Sequence, residues 1–166
     1  MSSPDLSAES LLAWNHATAQ GWYALANEQP SLLALPCDIH NSTSAGQLLH
    51  HIVSAELRYA ERLIDAPASD YATIPHSTAD DIFSTHDRAM GIFHNLLANP
   101  AFDWDREIEF PTLTAGRRRA KRSSVFQHAL LHSIRHYAQL ATLARQHGMR
   151  PRPMDILLML STSLPE

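Results

Sequence analysis

The stretch LLHSIRHYAQL, Leu130 to Leu140, sets two histidines four residues apart among leucines, an isoleucine and a tyrosine. Side chains at i and i+4 lie one above the other on an α-helix, so His132 and His136 share a face. His128 extends that line by one turn, and Val125, Gln139 and Leu143 fall on it too. The histidines are therefore expected within an inward-looking stripe of a long helix. Ser124 and Gln127 fit a capping box at its start, and Gly148 is a stop signal at its end.

Three more long helices can be read upstream. The first spans about Asp5 to Asn27 and carries Leu11, Leu12, Trp14, Trp22 and Tyr23; the three aromatics are read as core or dimer contacts. The second opens at Ser44, which with Gln47 again matches a capping box, and runs to about Ile64. Its apolar positions Leu48, Leu49, Ile52, Tyr59 and Leu63 recur at helical spacing. The third spans about Thr78 to Ala98, with Ile82, His86, Met90, Phe93 and Leu97 on one stripe, and Asn99-Pro100 stops it. Between Phe102 and Arg122 the pattern is least regular. There Ile108 and Phe110 alternate with Glu107 and Glu109, which allows a short extended piece, and Arg117–Arg122 is expected in the loop before the last long helix. After Arg150-Pro151-Arg152-Pro153 a short helix is predicted from Met154 to about Leu160. Long helices with short connections predict an all-α single domain over residues 1–166. Its architecture is expected to be an antiparallel four-helix bundle with a short additional C-terminal helix.

Composition narrows the function classes. The chain has 166 residues, 45% hydrophobic and 18% charged, with a formal net charge of -4. That is an ordinary globular mix with no general attraction to nucleic acid or anionic membrane. Its single cysteine, Cys37, excludes an intramolecular disulfide and agrees with a reducing, cytoplasmic setting. The opening MSSPDLSAES has neither a basic nor an apolar signal region, and no apolar run approaches a membrane span. There is no GxGxxG or GxxxxGK[ST] phosphate loop. Arg117, Arg118, Arg119, Lys121 and Arg122 form a dense basic run, read mainly as a solvated loop. A local anion site or a polyanion-binding surface is the functional reading of that run.

Neutral imidazole is a common metal ligand, and two at i, i+4 can chelate one ion. The second helix offers a further histidine, His50 or His51; both flank its apolar face, and His51 lies slightly nearer Leu48 and Ala55. Glu56 falls among Leu49, Ile52 and Leu63, where a carboxylate is costly unless paired. A buried ion pair or hydrogen bond to another helix is the favoured reading. Orienting a ligand histidine or acting as a general base is the alternative. His86 is read first as a core histidine.

The histidine pattern as a whole resembles the DinB/YfiT-like superfamily of four-helix-bundle metalloenzymes, from about Leu11 to Leu160. The motif LLHHI, Leu48 to Ile52, puts His51 on the family's first ligand, and HSIRHYAQL puts His132 and His136 on the other two. Gln139 matches the glutamine of that motif, and RQHGMRPRPMDILL resembles the family's ending. Where relatives often carry Arg-Gly, this chain has Tyr137-Ala138. His50 and His128 are surplus to the pattern, each a supporting partner, an alternative ligand or a satisfied neighbour.

The resemblance implies a divalent ion, zinc or nickel, on His51, His132 and His136, with Glu56, His128 and Gln139 as candidate supporting residues. It further implies a metal-dependent enzyme acting on a small molecule, of thiol-dependent S-transferase or isomerase type with a low-molecular-weight thiol, or hydrolase-like. The alternative is a non-catalytic metal-stabilised or metal-sensing bundle. A homodimer through helix faces, with no nucleic-acid or membrane partner, completes the expectation.

Overall fold

The computed structural model describes residues 6–112 and 115–162. The expected start of the first helix at Asp5 lies outside the described residues. Helix α1 runs Ala8–Glu28, and the Ser7 hydroxyl accepts from the Ser10 N–H at its start. A 3-10 turn, Pro30–Ala34, and a second, Ile39–Asn41, lead into α2, Ala45–Leu63. Ser44 caps α2 by accepting from Gln47 N–H. The reciprocal half of the expected box goes elsewhere, because Gln47 Oε1 accepts from the Thr43 N–H and hydroxyl. Helix α3, Ala79–Leu97, has the complete box, between Thr78 and Asp81.

Strands β1, Glu107–Pro111, and β2, Arg117–Lys121, form an antiparallel hairpin, so the molecule is mostly rather than wholly helical. The alternation at Ile108 and Phe110 was the legible sign of it. The basic run was expected in a loop, and its Arg117–Lys121 part forms the second strand. Glu109 faces Arg119 in the register and accepts from both Arg117 and Arg119, while Lys121 pairs with Asp105. Opposite charges across the strands stabilise a pairing that propensity alone would not favour. Arg122 is buried, pairs with Asp65 at 2.7 Å and lies 4.5 Å over the Phe102 ring.

Helix α4, Arg122–Gln146, starts directly from β2. The Ser124 cap expected from sequence is not used. The leading N–H groups of Arg122 and Ser123 instead donate to the carbonyls of Arg106 and Trp104, each at 3.0 Å. With those donors satisfied, the helix begins two residues early. Gly148, at φ 77°, ends it: the Gly148 and Met149 N–H groups return to the carbonyls of Arg145 and Ala144. The short helix α5 covers Ile156–Leu160, with Asp155 before it.

Helix α2 packs against α3 and α4, and α1 packs against the same two. The buried apolar side chains form two clusters. One joins the first halves of α2 and α3 to the second halves of α1 and α4, around Trp22, Leu48, Ile82 and Tyr137. The other joins the remaining halves around Leu57, Phe93, Phe126 and Leu130. Among the described residues no helix is long and apolar enough to cross a membrane.

Candidate metal centre

The contact between α2 and α4 brings the predicted histidines together. His51 comes from the second turn of α2, and His132 and His136 from the middle of α4. His51 Nε2 lies 3.2 Å from His132 Nε2. The His51 and His136 ring centres are 5.1 Å apart, and those of His132 and His136 are 4.5 Å apart. His50 turns away: it is buried and stacks on His76 at 4.1 Å, beside Tyr71.

A fourth imidazole was missing from the sequence reading. His40 sits 4.1 Å from His51 and 5.5 Å from His136, centre to centre. Ring nitrogens of His40, His51 and His136 all fall within 4.8 Å of one another. His40 lies in a connection, where periodicity gives no signal. Its backbone is left-handed, φ 52°, as is that of Asn41, φ 61°. This conformation costs a non-glycine residue roughly 1–2 kcal/mol. The surrounding loop maintains it. Pro36 bridges to Ser44, Cys37 N–H donates to Thr43, and Ala45 N–H donates to Leu35. Gly46 lets this loop approach, because a Cβ there would meet the Leu33 carbonyl oxygen at 2.9 Å.

Burial keeps His51, His132 and His136 neutral. It lowers the pKa of His51 to about 3, helped by His40, His136 and Arg135. Burial likewise lowers His132 to about 2, with His136 and His51 adding to it. His136 falls to about 4, through burial first and then the Arg135 charge. Neutral imidazole is the form that ligates a metal. Gln139 fixes the tautomer of His136: its Oε1 accepts from Nδ1–H at 2.8 Å, leaving the Nε2 lone pair, which accepts from Arg135 at 3.1 Å. His132 Nδ1 is buried without a hydrogen-bond partner among the described residues. Two nitrogens on a tetrahedral zinc ion, each ~2.0–2.1 Å from it, stand about 3.3 Å apart. The His51–His132 spacing fits that geometry, but the group of three whose ligand atoms all lie within 4.8 Å of one another includes His40 in place of His132.

The DinB family model matches residues 1–165. The chain belongs to the DinB family. No curated protein matches it.

His128, expected on an inward stripe, is exposed, as is Gln139. The ladder runs along the edge of the buried face of α4, with Val125 buried and Leu143 only half-buried. His128 packs edge-on to Tyr59 at 5.3 Å, 5.8 Å from the His132 ring centre. Glu56 points away from the ladder. It is fully buried, and His86 Nδ1–H of α3 donates to its Oε2 at 2.7 Å. This is the interhelical pairing that the favoured reading anticipated.

The ladder opens onto a cavity of about 470 Å³. His40, His51, His128 and His132 line it together with Arg58, Arg62 and Arg135. Arg62 spans Tyr59 and Phe110, at 5.2 and 5.4 Å from their ring centres, and donates to the Pro111 carbonyl. None of the three arginines has a carboxylate partner among the described residues. The wall therefore combines the neutral imidazoles of His51 and His132 with uncompensated positive charge.

Proposed function

We propose that this DinB-family protein is a metal-dependent enzyme acting on a small anionic molecule. In this reading the whole chain is one domain, a bundle in which α1 and α4 run one way and α2 and α3 the other, so that the α2–α4 and α1–α3 contacts are antiparallel and the α2–α3 and α1–α4 contacts parallel. The meeting of helix halves in the two core clusters supports that arrangement. The observation that carries the functional reading is the convergence of His51 and His132, Nε2 to Nε2 at 3.2 Å, at the mouth of an arginine-lined cavity.

His51, His132 and His136 would hold zinc or nickel, with His40 as a fourth donor. The bound ion supplies Lewis acidity and the means to generate a nucleophile, from water or a thiol, near neutral pH. The chain's own residues do the rest. Gln139 holds His136 in the tautomer that presents Nε2. Arg58 and Arg62 neutralise a carboxylate or phosphate on the incoming molecule, which offsets the cost of removing that charge from water. Tyr59 and Tyr71 form apolar walls that exclude water around it. A low-molecular-weight thiol carrying a carboxylate fits such a lining. The basic strand is internally neutralised by Glu109 and Asp105, which supports a small-molecule substrate over a polyanion. Homodimer formation and a cytoplasmic setting belong to the same proposal.

The test is elemental analysis of the purified protein beside His132→Ala, followed by a screen of small anionic thiols and electrophiles. About one equivalent of metal attributable to this centre, lost in the variant, together with turnover that needs it, supports the reading. Metal without turnover across the screen, with ligand binding unaffected by Arg58→Ala, would favour a metal-stabilised bundle. No His132-dependent metal after reconstitution would overturn both.

A further inference from the structure

A second group of metal-binding side chains lies on the other side of α2, between α1 and α3. It comprises His16 of α1 and His86 and Asp87 of α3, whose ligand atoms all fall within 4.8 Å of one another. It shares no residue with the His40, His51 and His136 group. His16 Nδ1 stands 3.1 Å from His86 Nε2. His86 and Glu56 have no exposed side-chain surface, and their contact is 2.7 Å.

The hydrogen-bond roles follow from Glu56. A carboxylate only accepts, so His86 must donate from Nδ1, and its Nε2 lone pair is then directed at His16. A carboxylate behind a histidine in this way fixes the ring and raises its basicity toward a metal. The other Glu56 oxygen, Oε1, is buried and has no hydrogen-bond partner among the described residues. No Lys or Arg pairs with Glu56 among the described residues. A carboxylate buried in this way is costly in its ionised form unless a positive charge lies close by. On the outer side, His16 and Asp87 are exposed, so an ion can reach them. His16 also borders an open cavity of about 670 Å³, with Glu9, Met90 and His94.

We propose that His16, His86 and Asp87 form a second divalent transition-metal site, braced from inside the protein by Glu56. Two imidazoles and a carboxylate suit zinc, cobalt or nickel rather than magnesium or calcium, which prefer all-oxygen ligands. Three protein ligands leave a coordination position free for a further ligand. Binding places a cation one imidazole away from the buried Glu56 carboxylate. This site does not depend on the function proposed for the His51–His132 centre.

The test uses cobalt(II) as the probe on the full-length, metal-stripped protein. Bound equivalents at saturation and the visible cobalt spectrum are compared for wild type, His16→Ala, His132→Ala and the double variant. The expected pattern is one equivalent fewer in His16→Ala than in wild type, and one fewer again in the double variant than in His132→Ala. If the His132 centre itself fails to bind, His16→Ala still loses its equivalent, so the two readings fail separately. His16 is exposed, so its removal leaves the core intact, and a thermal melt confirms this. Asp87→Asn provides the second variant, with at least a tenfold weaker cobalt affinity at the same stoichiometry. Wild-type stoichiometry in His16→Ala, or unchanged affinity in Asp87→Asn, overturns the proposal.

Discussion

His40 is the residue at which geometry and stability are most clearly opposed. Its left-handed backbone, φ 52°, carries a cost of roughly 1–2 kcal/mol that glycine would not incur. His40→Gly is therefore expected to leave the melting temperature of the metal-free protein unchanged or higher, while weakening metal binding at the His51 centre. Thermal melts with and without chelator, paired with a metal titration, measure both. Unchanged affinity would remove His40 from the donor set. Gln139 is exposed, yet its Oε1 fixes the His136 tautomer at 2.8 Å. Gln139→Leu is expected to cost about 10–100-fold in metal affinity, the usual range for a lost supporting hydrogen bond, with little change in stability. His132, His136 and Gln139 could be read from helical spacing on one motif, whereas spacing left His50 and His51 unseparated and only the family resemblance singled out His51. His40 was not legible, since a loop residue's position depends on where the chain folds back.

At the level of elements, the loop of residues 30–44 seats against the first turn of α2 only because residue 46 is glycine. A Cβ there would stand 2.9 Å from the Leu33 carbonyl oxygen, which is backbone and yields little. Gly46→Ala is expected to destabilise the protein by about 1–3 kcal/mol, as overpacking does, and to shift His40 with the loop. Urea unfolding gives the first effect and metal affinity the second; a loss of stability with no loss of affinity would detach the loop from the site. The start of α4 carries a related lesson. Ser124 and Gln127 form a valid local capping signal, but the carbonyls of Arg106 and Trp104 reach the leading N–H groups first. The Arg117–Arg122 run reads as a solvated loop on charge alone. Its Arg117–Lys121 part becomes a strand because Glu107 and Glu109 stand opposite it in the register.

For the whole molecule, the number of buried neutral histidines sets the acid behaviour. His50 and His136 are lowered to about 4, His51 to about 3 and His132 to about 2, each chiefly by burial. In the unfolded chain the same groups titrate near ~6.5. Above that pH both states are neutral and stability is insensitive to these groups. Below it the unfolded state takes up protons first, so stability falls as pH drops from about 6.5 towards 4. With chelator present, the urea midpoint is expected to be lower at pH 5 than at pH 7.5. A flat midpoint over that interval would mean the imidazoles are not held neutral. Bound metal competes with those protons, so the loaded protein should keep its midpoint to lower pH.

The sequence by itself determined the four long helices, because apolar periodicity and terminal signals are local properties of the chain. It also determined that His132 and His136 share a helix face, since the helical repeat fixes that relation, and its motifs carried the likeness to the DinB family. Only the tertiary structure decided what faces them. The packing of α2 on α4 brought His51 rather than His50 to the ladder and turned Glu56 towards His86. The fold-back of the loop added His40, and the meeting of α1 with α3 put His16 beside His86. Contacts between distant segments depend on how helices pack and loops close, and no local period in the sequence encodes them.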